Sequence, residues 1–205
     1  FSSQKEVPKC LDRLAKVIRA QRPDIVFLSE INLECAPCPV NQVRYLAEKC
    51  RMHAWAFGEN YSFGLPFYRI SSGNAVLSRF ALEPLTVLQL EHGGPFYSPM
   101  GNRRALFVTV DIDQQPLLLG SLRNDSFDLG RNADQVRQLL AFIGKRPALL
   151  GGDFNAPPQS KAMQLWKKSE RFAARWHGPK TFPADKPDRC IDYVLAPKAW
   201  RLVEH

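Results

Sequence analysis

The chain contains no apolar run of about 18 residues, the length needed to cross a bilayer as a helix, so a transmembrane helix is excluded. It also has no internal repeat and no low-complexity tract. Cysteine is sparse and odd in number: five residues, at positions 10, 35, 38, 50 and 190, do not make a disulfide framework for a domain this large. Cys35-Ala-Pro-Cys38 has the spacing of a redox pair or of half a zinc site. A zinc site needs a second pair that the chain does not supply, and a redox pair must open a helix after a strand, so these read as incidental loop cysteines. Histidine is equally scarce, with four residues, and His53, His92 and His177 read as loop residues.

What is present is an ordinary globular composition, 45% hydrophobic and 23% charged, over 205 residues. That is enough for one domain, spanning 1–205, with a substantial core. A monomer is expected. The formal charge of +8 leans toward a polyanionic or phosphorylated partner. The first residue is Phe1, so the chain is expected to be a fragment or a processed product, and its localisation stays open.

Apolar spacing predicts a helix from Pro8 to Arg22, with Leu11, Leu14, Ala15 and Ile18 on one face. A short strand, Ile25 to Leu28, follows. A second helix is expected over 41–50, a short strand near Ala54 to Phe57, and a long loop from there to Tyr68. Gly73 to Phe80 reads as a strand. Arg104 to Ile112 and Leu117 to Leu122 read as a hairpin across the polar turn 113–116. Helices are predicted at Asn132 to Ile143 and Lys161 to Ser169, with Met163 and Trp166 in the core. Because hairpins interrupt the alternation of strands and helices, a simple doubly wound parallel sheet does not fit.

The stretch around which the chain is organised is Ala148-Leu149-Leu150-Gly151-Gly152-Asp153-Phe154-Asn155. An apolar strand breaks at two glycines and delivers a carboxylate and then a carboxamide. Period-two geometry would put Asp153 and Asn155 on one side, facing one bound group. An isolated D-x-N is most simply an Asx turn. Glu30 likewise stands at the end of the strand Ile25–Leu28, where a lone glutamate is most simply a solvated loop residue, and Asp192, in Arg189-Cys190-Ile191-Asp192-Tyr193-Val194-Leu195, is by itself most simply a strand-edge carboxylate.

GGDFN, with PDIVFLSEI, GNAVLSR and the pair TFP and RCIDYVL, resembles the signatures of the endonuclease/exonuclease/phosphatase superfamily of metal-dependent, DNase I-like phosphoesterases. The resemblance implies an α/β (α+β) fold, a four-layered α/β/β/α sandwich of two mixed β-sheets. It further implies Glu30 as the metal ligand for Mg2+ or Mn2+, Asp153 as the group that activates water, and Asn155 as a donor to a phosphoryl oxygen. Asp192 would orient a downstream histidine. The implied substrate is a phosphodiester, with nucleic acid favoured over a phospholipid or inositol phosphate.

Three departures accompany it. The opening strand and the closing strand with its Ser-Asp-His are expected to lie outside this chain. The usual histidine after Leu118-Leu119-Gly120-Ser121 is replaced by Leu122 or Arg123. Arg123 would give phosphate a permanent fork of donors, or would simply be a surface cation beside Asp125. Arg79 is a further phosphate candidate. With Arg69, Arg103, Arg104 and Arg131, these arginines would either contribute to a backbone-binding surface with Trp55, Phe57, Tyr61 and Phe63 available for stacking, or lie scattered with those aromatics buried. The departures leave a second reading, a catalytically impaired relative that binds phosphorylated ligands or a protein.

Overall fold

The computed structural model describes residues 6–35, 40–65, 68–91 and 103–203. Helix α1 (Glu6–Gln21) buries Leu11, Ala15 and Ile18 along one stripe, with Pro8 in the first turn, where a missing N–H costs nothing. Helix α2 (Gln42–Cys50) is capped by Asn41, whose side chain accepts the Arg44 N–H at 2.8 Å. Both lie on an antiparallel three-stranded sheet in the order β1 (Ile25–Cys35), β3 (Tyr68–Ser78), β2 (Ala54–Leu65).

The second sheet has six strands. Its order is β4 (Glu83–Gln89), β5 (Arg104–Ile112), β6 (Gln115–Arg123), β7 (Ala148–Asp153), β9 (Asp192–Pro197), β8 (Phe172–Ala173). β6 and β7 are parallel, joined through α3 (Leu129–Ile143), and the other pairs are antiparallel. α3 and α4 (Lys161–Lys168) cover the outer face.

Three separate apolar cores glue the layers together. Leu46, Ile31 and Leu77 join the first helices to the small sheet. Val76, Val108 and Leu119 fill the space between the sheets. Leu139, Leu150, Met163 and Trp166 join the large sheet to α3 and α4. Three interfaces separate four layers, which is the expected α/β/β/α sandwich. Each fully buried large apolar side chain in these cores contributes about 1.5–3 kcal/mol.

The expected elements appear with corrections. The loop predicted after Phe57 is instead the rest of β2, paired with β3 from Ala54↔Ser78 to Leu65↔Tyr68. Its glycines and polar residues hide a strand whose hydrogen bonds come from the neighbour rather than from propensity. β4 was not predicted from the sequence; it is a mostly exposed edge strand whose Pro84 suits that position. α3 starts at Leu129, three residues before the predicted Asn132, because Asp128 accepts the Arg131 N–H at 2.9 Å and caps the helix there. Cys35 ends β1, and Cys38, with His92 and the side chain of Phe63, lies outside the described residues.

Candidate active site

Glu30 does not follow a strand end, as the sequence implied. It sits inside β1, where Leu28 pairs with Ala75 and Ile31 with Gly73, so Ser29 and Glu30 together oppose the single residue Asn74. This is a β-bulge, and it resets the side-chain alternation. Before it, Val26 and Leu28 pack toward α1 and α2; after it, Ile31 and Leu33 do. With no extra residue, Glu30 would point into that apolar core. The bulge holds Glu30 at φ +55, a left-handed conformation that is uncommon outside glycine, and leaves its carboxylate half exposed on the side of the second sheet.

Opposite it, β6 alternates cleanly. Leu118 and Leu122 enter the outer core, while Leu117 and Leu119 face the other sheet. Ser121 continues the inward series and donates to the Leu28 carbonyl at 3.1 Å; Ser29 returns a bond to the Leu122 carbonyl at 3.1 Å. The next inward residue is Arg123. Leu122 is 0% exposed in the helix-side core, so of the two residues that could stand in place of the histidine it is Arg123 that faces the site. Its Nη2 lies 2.8 Å from Glu30 Oε1 with only 16% of the side chain exposed.

β7 brings Asp153 alongside, in register with Arg123 on one flank and Asp192 on the other. The two glycines before it permit the approach. A Cβ on Gly151 would meet Phe27 Cδ2 at 2.3 Å, so its absence lets β1 close on β7. At Gly152, φ is +138 and a Cβ would meet the Leu122 carbonyl at 2.2 Å, which excludes any side chain.

Asn155 is reached differently from the period-two expectation. β7 ends at Asp153, and Asn155 stands at φ +48 beyond it. Its N–H donates to Asp153 Oδ1 at 2.9 Å, and its side-chain Nδ2 donates to Asp153 Oδ2 at 2.9 Å and to the Asn124 carbonyl at 3.0 Å. The turn geometry is thus an Asx turn, and the carboxamide grips the carboxylate instead of standing free for a phosphoryl oxygen. Buried Asn132 fixes this turn by donating to the carbonyls of Asp125, Phe154 and Asn155. Asn132 was read from the sequence only as the start of a helix. An asparagine in the first turn of α3 that is 0% exposed is the signal that marks it.

Burial is the main reason that the Asp153 carboxyl is pushed up, to about 6, and the charges of Asp192 and Glu30 add to it; the Asn155 N–H and Arg123 act in the opposite direction. Arg103, also buried, feels Arg123, Asp125, Glu30 and Asp153, and burial lowers its pKa. Glu30, Arg123, Asp153, Asn155 and Asp192 therefore share one mouth between the sheets. Ser29, Gly152 and Asp192 also line a groove of about 620 Å3 that follows β1 toward Pro23.

Arg79 is not brought to this mouth. It pairs with Asp24 at 3.7 Å at the start of β1, roughly 20 Å along the strand from Glu30 at about 3.3 Å per residue. The other arginines are largely engaged: Arg69 with Glu59, Arg104 with Gln89 and the Glu59 carbonyl, Arg131 with Asp125 and Asp128. Phe57 packs in the core under α2, whereas Trp55 is exposed.

A four-layered sandwich of two packed β-sheets with helices outside is the DNase I-like architecture. The model of the endonuclease/exonuclease/phosphatase family matches residues 2–205, and the chain belongs to that family. It is similar to the endonuclease/exonuclease/phosphatase from Beutenbergia cavernae, at 26% identity and a TM-score of 0.72 over 95% of this chain and 60% of that one. It thus spans about three-fifths of that relative. The human Nocturnin catalytic domain with bound sulfate anion shares 17% identity and a TM-score of 0.59, over 94% of this chain and 75% of that one. D. rerio TDP2 complexed with single strand DNA product shares 17% identity and a TM-score of 0.58, over 92% and 77%. Among curated proteins no match is found.

Proposed function

We propose that the chain carries a divalent-metal-dependent phosphoesterase site that hydrolyses phosphodiesters, with nucleic acid the favoured substrate. The observation that carries this reading is the convergence of Glu30, Arg123 and Asp153 from three strands of two sheets. The donor set is all oxygen, which suits a hard cation such as Mg2+ or Mn2+. Among the described residues no three His, Cys, Asp or Glu side chains cluster tightly enough to cage an ion. The residues therefore fit an ion held by Glu30 and water rather than a closed site. Such an ion, when bound, offsets charge developing on the phosphoryl oxygens.

The chain's own groups divide the remaining work. Asp153, a carboxylate whose proton affinity lies near neutrality, accepts a proton from the attacking water. Asn155 fixes the rotamer of that carboxylate, so it acts as a positioning residue. Arg123 presents a planar fork of donors to phosphate oxygens. Asp192 stands across the ladder from Asp153 and raises its basicity.

Replacing Glu30 with Gln is expected to lower hydrolysis of bis(p-nitrophenyl) phosphate in Mg2+ or Mn2+ by roughly a hundredfold or more, the scale of losing one preorganised electrostatic contact. Unchanged turnover would reject the assignment. One feature favours a second reading, a relative that binds phosphate without hydrolysis: Arg123, which cannot transfer protons as a histidine does, stands at the site. Phosphate binding by a protein with no metal-stimulated turnover would favour that reading.

A further inference from the structure

We infer that Arg123 and the metal ion compete for Glu30, so that the cation is admitted tightly only when a phosphate group draws the guanidinium away. This rests on the metal site proposed above. The carboxylate assigned to the metal is already engaged, with Arg123 Nη2 2.8 Å from Oε1. The pair is strongly asymmetric. The arginine side chain is 16% exposed and held against the large sheet, whereas the Glu30 side chain is 54% exposed on a bulge. Arg123 Nε is buried without a hydrogen-bond partner, so the guanidinium is under-satisfied where it stands.

An ion on the half-exposed Glu30 carboxylate repels the guanidinium 2.8 Å from Oε1 and draws off the charge that holds it, so the two cations compete for the group. The displaced fork then needs an anion. The neighbouring Asp153 offers little, because Asn155 donates to both of its oxygens. A phosphate group at the mouth satisfies the fork with two parallel N–H bonds. The exchange therefore couples the two ligands: phosphate tightens the metal, and by linkage the metal tightens phosphate by the same factor. Arg123 becomes a specificity-determining residue that favours metal together with phosphate over metal alone.

Calorimetric titration of Mn2+ into the protein, with and without inorganic phosphate, tests this. The exchange predicts that R123Q binds Mn2+ about tenfold more tightly than the unaltered chain without phosphate, and that the tightening by phosphate shrinks several-fold, within the usual range of coupling between sites. If R123Q binds Mn2+ no better while E30Q no longer binds it, the exchange is overturned and the metal site stands. If E30Q binds Mn2+ as well as the unaltered chain, the metal site itself fails and the exchange with it. A crystal structure of the unaltered chain with Mn2+ and phosphate needs no variant. Arg123 on phosphate supports the exchange, and Arg123 still on Glu30 overturns it.

Discussion

At the scale of single residues, Asp153 illustrates how burial sets chemistry. Its carboxyl is pushed from the ordinary 3.8 to about 6, chiefly because it is buried, with Asp192 and Glu30 adding like charge. A folded-state value above the unfolded one means that the native chain holds an extra proton between those values. Stability from this group is therefore greatest at low pH and falls as pH rises through that window. Asp153→Asn, neutral throughout, is expected to raise stability by about 1–3 kcal/mol near pH 8 and by nothing near pH 3, following about 1.4 kcal/mol per unit of displacement less the altered bonds to Asn155. Thermal unfolding of both proteins at the two pH values checks this. A gain that is equal at both would show that the carboxylate carries no such cost.

Asp125 shows the opposite balance nearby. Burial alone would raise it, yet the N–H groups of Asp128 and Phe127 together with Arg131 more than offset that and hold its carboxyl below the usual range. Its contribution to stability is present at neutral pH and lost as pH falls through the ordinary carboxylate range, so the two aspartates tilt the acid side of the stability curve in opposite directions.

At the scale of elements, the bulge in β1 is the device that creates the site, and it carries strain at a non-glycine residue with φ +55. Glycine takes that conformation freely. Both Glu30→Gly and Glu30→Ala take the carboxylate from Arg123 and are expected to abolish the metal binding proposed for Glu30, but only glycine relieves the strain, so Glu30→Gly is expected to be the more stable of the two by about 1 kcal/mol. Calorimetry and metal titration on the same samples measure both; equal stability of the two variants would show that the bulge stores no such strain. The bulge was legible in the sequence, though only with hindsight about parity: the helix-facing positions run 26, 28, then 31, 33. A strand read as ending at Leu28 conceals that shift.

Other parts of the site were written more openly. Two glycines before Asp153 imply close approach, and the structure supplies the object approached, Phe27 on another sheet. The replacement of histidine was ambiguous between Leu122 and Arg123 because one strand alone does not say which face is the core. It is settled by Leu118 and Leu122 packing against the helix side and by Ser121 bonding across to β1. Asn155 was placed by strand periodicity, yet the strand ends two residues earlier, and the side chain bonds took over. Arg79 follows a recognisable segment, but its position at the far end of β3 depends on antiparallel pairing with β1, a long-range fact that local spacing does not contain.

At the scale of the whole molecule, the formal charge of +8 invites a picture of a broad basic track for nucleic acid. Six of the arginines are already engaged by carboxylates. Arg44, Arg69, Arg131, Arg137 and Arg189 are paired with Glu48, Glu59, Asp125, Asp134 and Asp188, and Arg79 with Asp24 lies far from the mouth. Cations already engaged by carboxylates release few counterions, so for a strand bound at the mouth affinity should come from the few groups there. For a labelled single-stranded oligonucleotide followed by fluorescence anisotropy, log affinity against log salt is expected to fall with a slope of only about −1.4 to −2.1, the value for two or three phosphate contacts at roughly −0.7 each. A slope steeper than about −4 would require six or more phosphates held at once. The groups at the mouth are too few for that, so such a result would move the binding surface to unpaired lysines and arginines elsewhere on the sandwich and separate binding from the site proposed for hydrolysis.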